Sequence, residues 1–300
     1  MSCLGCDTGF GHQLAVKLDK LGYTVFAACL APEGVGAKQL KAKGSQNLLV
    51  ISLDVSADES VNRAVTEVKS YLSPNKKLFA IVNNAGIGHY SGVDWSKPGV
   101  DDVYRSQLEV NTLGAVRVTK SFLPLLRETE NSRIIIVASL AARFVFPGLV
   151  GYSMSKYAVR AFGDGLRREQ KPYGINVSVI EPVMYNTSLT DMSVCLNNMK
   201  AHWDNTPEDV KQSIGSTRFV SLCKTVESFL MMRRSNVEEV LDAMIDSLTR
   251  EEPKPFYRVG GLKERITLYL LEALPEELQD FFLDPFVFDH ILKYLHNSRQ

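Results

Sequence analysis

The feature that most constrains this chain is a regular alternation of short β-branched runs with longer stretches of helical periodicity. Residues 24–29 (TVFAAC), 48–53 (LLVISL), 78–82 (LFAIV), 133–138 (RIIIVA) and 175–180 (INVSVI) are nearly continuous in apolar character. A strand with one wet face alternates apolar and polar residues, whereas a continuous run is the pattern of a strand covered on both faces. Between these runs, residues 9–21, 36–43, 58–72, 100–127 and 151–171 carry helix-like patterns. Strand and helix in strict turn give an α/β fold, a Rossmann-like doubly wound parallel sheet flanked by helices.

After Glu181-Pro182 the rhythm changes. Residues 183–235 are expected to form an irregular substrate lid, because they are rich in large apolar side chains such as Met184, Met192, Trp203, Phe219 and Phe229. Residues 236–250 return to a helical pattern, with Val237, Val240, Leu241, Met244, Ile245 and Leu248 on one face. An amphipathic tail follows over about 262–300, carrying Phe281, Phe282, Phe286, Phe288, Ile291 and Leu292. It can pack on the lid, meet a second copy in a homo-oligomer, or touch a membrane surface peripherally. No internal repeat or low-complexity linker divides the chain, so residues 1–300 are read as one domain.

Composition narrows the function. Lysines and arginines number 34 and so do aspartates and glutamates, with no basic run, so nothing here grips a nucleic-acid backbone. Five cysteines, Cys3, Cys6, Cys29, Cys195 and Cys223, have no disulfide-like spacing, as in a reducing compartment. The best candidate span, residues 266–274, is interrupted by Glu272 and too short for a bilayer. No charged start followed by an apolar stretch marks a signal peptide.

Three motifs carry chemistry. Gly5-Cys6-Asp7-Thr8-Gly9-Phe10-Gly11 stands directly before the first helical pattern, where glycines let backbone approach a pyrophosphate and the helix N-terminus stabilises its charge. A tight strand–helix turn uses glycines in the same way. Asn83-Asn84-Ala85-Gly86 ends the 78–82 run, at the end of a strand where such sheets bind ligands, although an ordinary Asx turn has the same composition. Tyr152 and Lys156 are four residues apart, hence on one helix face. An ammonium beside a phenol favours phenolate, so Lys156 is expected to lower the Tyr152 pKa toward working pH. Ser139, where the 133–138 run ends, and Asn111, in the preceding helix, complete the set.

With these residues in that order, the chain resembles the short-chain dehydrogenase/reductases over roughly residues 1–260. It looks most like the branch of retinol dehydrogenases, 17β-hydroxysteroid dehydrogenases and 3-hydroxybutyrate dehydrogenase, on GCDTGFG (5–11), VFAACL (25–30), NNAG (83–86), VTKSFLPLLR (118–127) and YSMSK (152–156). The resemblance implies an NAD(P)-dependent oxidoreductase in which Tyr152 is general acid/base and Ser139 hydrogen-bonds the reacting oxygen. Lys156 would hold the nicotinamide ribose and tune Tyr152, and Asn111 would support a water-linked proton relay. The dinucleotide would lie on Gly5, Asp7, Gly9, Phe10, Gly11, Asn83, Ala85 and Gly86, with Asp54 and Val55 by the adenine and Pro182 and Thr187 by the carboxamide. Endoplasmic reticulum or mitochondrial membrane association is what the branch implies for location, and otherwise the cytoplasm.

The sequence departs from the family pattern in two ways. Leu4 replaces the threonine before the first glycine, and only Met1–Leu4 are left to build the family's central first strand. That strand is therefore expected to be largely missing, as in an incomplete or alternatively spliced N-terminus. Its loss would leave neighbouring ladders unpaired, at a cost of roughly several kcal/mol. Val183 stands where the family has glycine, so the loop leading to Thr187 is expected to take another course. At the end of the second strand, Cys29-Leu30 bring no arginine for a 2′-phosphate, which favours NAD over NADP.

Other readings compete. Cys3-Leu4-Gly5-Cys6 has redox spacing but overlaps the glycine turn, and no second ligand pair or histidine cluster makes a metal site, so no metal is expected. The apolar 183–235 stretch favours a small hydrophobic alcohol or ketone, retinoid- or steroid-like. A hydroxy acid such as 3-hydroxybutyrate would need a cation, for which Lys200, His202, Lys211 and Arg218 are candidates. From another class, a catalytically silent relative would bind nucleotide or a partner without turnover.

Overall fold

The computed structural model describes residues 1–95 and 102–283. Among them the expected alternation is realised as β1 (Ser2–Leu4), α1 (Gly9–Lys20), β2 (Val25–Cys29), α2 (Val35–Lys43), β3 (Leu48–Ser52), α3 (Asp58–Ser70) and β4 (Ala80–Asn83). Then come α4 (Asp102–Leu108), a π-helical turn (Glu109–Leu113), α5 (Gly114–Arg127), β5 (Arg133–Val137), α6 (Val150–Gln170) and β6 (Asn176–Pro182). The last part comprises α7 (Met192–Asp204), α8 (Glu208–Ile214), α9 (Ser216–Met231), α10 (Glu238–Thr249), β7 (Phe256–Val259), α11 (Leu262–Ala273) and α12 (Glu276–Leu283).

The strands form one parallel sheet in the order β3-β2-β1-β4-β5-β6-β7. Strand order reverses between β1 and β4, and the crevice beyond the carboxyl ends at such a point is where these sheets take ligands. Helices cover both faces. On one side Val61 and Val68 of α3, Phe122 and Leu126 of α5 and Val159 of α6 are buried. On the other lie Leu14 and Leu18 of α1, Leu40 of α2 and Val240, Met244 and Leu248 of α10. This two-sided burial, about 1.5–3 kcal/mol for each fully covered large apolar side chain, explains why the strand runs do not alternate.

The first strand corrects an expectation. It has three residues, but no ladder is left open: Ser2 aligns with Phe26 on one side and with Ile81 on the other. Met1 extends the pairing, its ammonium donating to Thr24 O at 2.6 Å and its carbonyl accepting from Phe26 N at 2.8 Å. Cys3 packs into the α1 side of the core and Leu4 into the opposite side. Three residues suffice because β2 and β4 are each paired along their other edge, to β3 and β5.

Three further differences arise. Much of the segment expected to be irregular is helical: Asp191 caps α7 by accepting from Val194 N at 3.0 Å, and α7 and α9 bury Cys195, Met199, Val226 and Leu230 against Tyr90, Trp95 and Phe146. The helix expected over 100–127 is broken by the π-helical turn, and its expected start at Val100 lies outside the described residues. β7 was not foreseen; it adds four residues at the sheet edge. Phe286, Phe288, Ile291 and Leu292 of the expected tail also lie outside the described residues. Among those described, no helix is long and apolar enough to cross a membrane.

Candidate active site

The site is built on the loops that leave the carboxyl ends of the strands. Gly5, just after β1, has φ +68, and a Cβ there would stand 2.7 Å from Ala85 Cα. A Cβ on Gly11 would meet Gly5 O at 2.4 Å. Only glycine allows these approaches, so the first two motifs are packed against each other. Asn84 locks them together, donating from Nδ2 to Leu4 O at 3.0 Å and Gly5 O at 3.1 Å. It lines the cleft and was missing from the expected site residues; its place in the asparagine pair was the available signal.

Thr8 caps α1 without a side-chain bond to the helix amides and instead pairs its hydroxyl with Ser188 Oγ at 2.7 Å. The amides that begin α1 are thus left without a side-chain acceptor, which is what a phosphate needs there. The Asp7 carboxylate accepts from Leu30 N and Ala31 N, both at 2.9 Å, and so holds the loop after β2. At the same end of the cleft lie Leu53, Asp54 and Val55. Bonds from the Ser56 hydroxyl and amide hold the Asp54 carboxyl below its ordinary pKa.

Ser139 follows β5 and heads a 3₁₀ turn (Leu140–Ala142), its Oγ accepting from Ala141 N at 3.1 Å. Tyr152 sits in the first turn of α6, close enough to Ser139 for its hydroxyl to act on the phenol, and Lys156 follows one turn on. Lys156 is 4% exposed, donates to Val137 O at 3.0 Å and stands 5.6 Å from the Tyr152 ring centroid. Burial dominates both groups. It pushes the Tyr152 phenol up to about 12, opposed only by the Ser139 hydroxyl, and brings Lys156 down to about 8. The expected lowering of Tyr152 by Lys156 is therefore not found in this state. The ammonium is committed to a backbone carbonyl, and desolvation of the phenolate outweighs its field.

Asn111 lies in the π-helical turn, a distortion common at functional sites. Its side chain accepts from Ile87 N and donates to Ile87 O, both at 2.8 Å, and donates to Ser155 Oγ at 2.9 Å. Gly86 lies where Asn111 and Lys156 meet: a Cβ there would be 3.3 Å from Asn111 Oδ1 and 3.5 Å from Lys156 Nζ. Asn83 points the other way, donating to Thr119 Oγ1 on α5 at 3.0 Å, and does not line the cleft.

Pro182 and Thr187 line the fourth wall, with Phe10, Gly9 and Ala85. Val183 N donates to Val259 O at 2.9 Å, so the β6–β7 pairing runs on through the position where the family has glycine. A branched residue suits that extended course, and the chain still brings Thr187 beside Gly9, whose Cβ would be 3.9 Å from Thr187 Cβ. The two ends of the 183–235 segment are tied together by Arg234, whose N–H donates to Met184 O and whose carbonyl accepts from Asn186 N, and Tyr185 fixes that segment to α10, its hydroxyl donating to Glu239 at 2.6 Å.

The resulting cleft holds about 500 Å³ and runs from the glycine turn past Tyr152 to an apolar end of Tyr90, Phe146, Leu149, Met184, Leu189 and Phe229. Lys156 is its only lysine or arginine among the described residues. Lys200, His202, Lys211 and Arg218 do not reach it; Lys200 pairs with Asp204 at 2.6 Å and Lys211 donates to Asp204 O. Cys3 and Cys6 are buried and unbridged, with Cys6 Sγ donating to Cys3 O, and burial raises the Cys6 thiol further, which removes the redox-pair reading. No metal-binding cluster occurs among the described residues.

A dinucleotide-type crevice with a Ser–Tyr–Lys group at its centre, the lysine buried and the other two half-buried, defines an α/β oxidoreductase. Residues 2–195 match the family model described as short chain dehydrogenase. The chain is 38% identical over 280 residues to the 17-beta-hydroxysteroid dehydrogenase type 6 of Bos taurus, covering 93% of this chain and 86% of that one. It is 39% identical over 257 residues to retinol dehydrogenase 7 of Rattus norvegicus, covering 85% and 78%. A short chain dehydrogenase/reductase from Burkholderia phymatum, solved in complex with NAD, shares the fold with a TM-score of 0.71 at 19% identity, covering 93% and 94%. The chain belongs to the short-chain dehydrogenase family.

Proposed function

We propose that the chain interconverts a hydrophobic alcohol, retinoid- or steroid-like, and its carbonyl, with NAD preferred over NADP. The observation that carries this is the single cleft joining the glycine turn to Tyr152 and continuing into an apolar end. Among the described residues a hydroxy acid would find no cation for its carboxylate there except Lys156, which already serves Val137 O. The likeness to a hydroxysteroid dehydrogenase and a retinol dehydrogenase supports the same substrate class.

A nicotinamide dinucleotide, when bound, supplies or accepts the hydride. Gly5, Gly9, Gly11 and the start of α1 would hold its phosphates, Asp54 and Val55 its adenine end, and Lys156, Pro182 and Thr187 its nicotinamide end. At the loop after β2 the lining residues are Leu30 and Ala31, with the Asp7 carboxylate behind them, and among the described residues no lysine or arginine lines that end to welcome a 2′-phosphate.

The chain's own residues handle the proton. The Tyr152 phenol, oriented by Ser139, is protonated at neutral pH and ready to donate to a carbonyl oxygen; in the reverse direction its phenolate takes the alcohol proton. Ser139 stabilises the charge developing on that oxygen. Asn111 fixes residues 86–88 at the cleft wall, and the second lone pair of its Oδ1 remains for a water-linked relay.

Titration with NADH followed by its fluorescence, then turnover of retinol and of a steroid alcohol with NAD and with NADP, tests this reading. Binding and NAD-linked oxidation of at least one apolar alcohol are expected. No NADH binding at millimolar concentration would leave the catalytically silent reading in its place, and a preference for NADP would overturn the cofactor assignment.

A further inference from the structure

Beneath the cleft floor lies a cluster of ion pairs that the reaction itself does not use. Glu181, the residue before Pro182, is buried, and three guanidiniums converge on its carboxylate: Arg143 Nε at 3.0 Å, Arg160 Nε at 3.0 Å and Arg258 Nε at 3.6 Å. Two of these arginines reach on to one carboxylate of α11, Arg143 Nη1 and Arg258 Nη2 each standing 2.7 Å from Glu272. Arg258 also stacks on Tyr269 of the same helix, 4.2 Å from its centroid. Burial works against the charge on Glu272, but the two guanidiniums outweigh it and hold the carboxyl below its ordinary pKa.

The anchors of this cluster are neighbours in sequence of the cleft residues. Arg143 closes the 3₁₀ turn that Ser139 opens. Glu181 is bonded to Pro182, and Arg160 lies one turn beyond Lys156 on α6. α11 lines no part of the cleft, yet it supplies one of the two carboxylates that balance the three cations. Without Glu272, Glu181 alone faces three guanidiniums in a poorly solvated place, and like charges there repel strongly. Arg143 is one of the two guanidiniums that lose a partner with Glu272, and its backbone closes the Ser139 turn.

Resting on the assignment of Ser139, Tyr152 and Lys156 to the reaction, we propose that Glu272 is a positioning residue, acting through Arg143 on the turn that carries Ser139. The docked α11 helix is then part of the catalytic unit. Anything that lifts α11 from the body lowers turnover without touching substrate or cofactor.

The test uses the full chain with Glu272→Gln and Glu272→Asp. In Glu272→Gln, kcat for an apolar alcohol is expected to fall about tenfold, the scale of a small displacement of a reacting group, while NADH affinity stays near wild type. Glu272→Asp restores most of it. Hydrogen exchange at the turn amides of Ala142 and Arg143, which bond to Ser139 O and Leu140 O, rises in Glu272→Gln and not in Glu272→Asp. Unchanged exchange overturns the inference whether or not the wild type turns over, which keeps its failure distinct from failure of the functional assignment. A fall of NADH affinity in step with kcat overturns it too, as the mark of a merely structural role.

Discussion

At the scale of single residues, the proposed chemistry turns on a half-buried phenol and a buried ammonium whose pKa values are driven apart. Tyr152 lies up to about 12 and Lys156 down to about 8, both through desolvation. Tyr152→Phe should cost at least about 10²–10⁴ in kcat, the usual worth of a positioned acid/base, with NADH affinity nearly unchanged. Steady-state kinetics beside a fluorescence titration checks this, and retained turnover would refute the role. The pH dependence has a definite sign. Because phenolate must accept the proton in alcohol oxidation, that rate should climb from pH 7 toward 10, while carbonyl reduction, which uses the phenol, should not. An oxidation optimum below pH 7 would contradict the assignment. Lys156 gives a stability signature as well. Its folded pKa, about 8, lies below the ordinary 10.5, so the native state binds fewer protons between those values and its stability rises with pH across that window. Denaturation of wild type against Lys156→Met should show the wild type gaining on the variant from pH 8 to 10.5.

At the scale of elements, the glycine turn and the asparagine turn are one interlocked unit, which no spacing rule on either motif reveals. Gly11→Ala would thrust a Cβ to within 2.4 Å of Gly5 O and 2.6 Å of Asn84 Nδ2. Since the nearest atom is backbone, the turn must open; about 1–3 kcal/mol of destabilisation and loss of NADH binding are expected. Gly165→Ala, in the interior of α6 with nothing within 4 Å, is the control. It should stabilise by about 0.5–1 kcal/mol and leave binding alone. Thermal unfolding of both with and without NADH separates these outcomes. The order of motifs along the chain was enough to place Ser139, Tyr152 and Lys156 in one cleft. It was not enough to orient Asn83 and Asn84, because adjacent residues at a strand's end face opposite sides and either could have turned inward.

At the scale of the whole molecule, the cleft ties both faces of the sheet to the lid, so ligand binding should report on global stability. NADH at about 100 times its Kd should add about 2.7 kcal/mol to unfolding, read as a rise in Tm that saturates with concentration. An unchanged Tm alongside demonstrated binding would mean that the unfolding unit excludes the cleft. What the order of residues alone decided was the alternation, hence the parallel doubly wound sheet and the end of it that carries the site. Burial of a strand on both faces writes itself into a continuous apolar run, and that signal is local. Tertiary structure decided the rest. A three-residue β1 holds the sheet centre because its neighbours are already paired on their far edges. The lid is helical because its Met and aromatic side chains find one another across α7 and α9. The expected effect of Lys156 on Tyr152 gave way to burial, since a pKa depends on what surrounds a group on every side, and four residues of spacing specify only one of those sides.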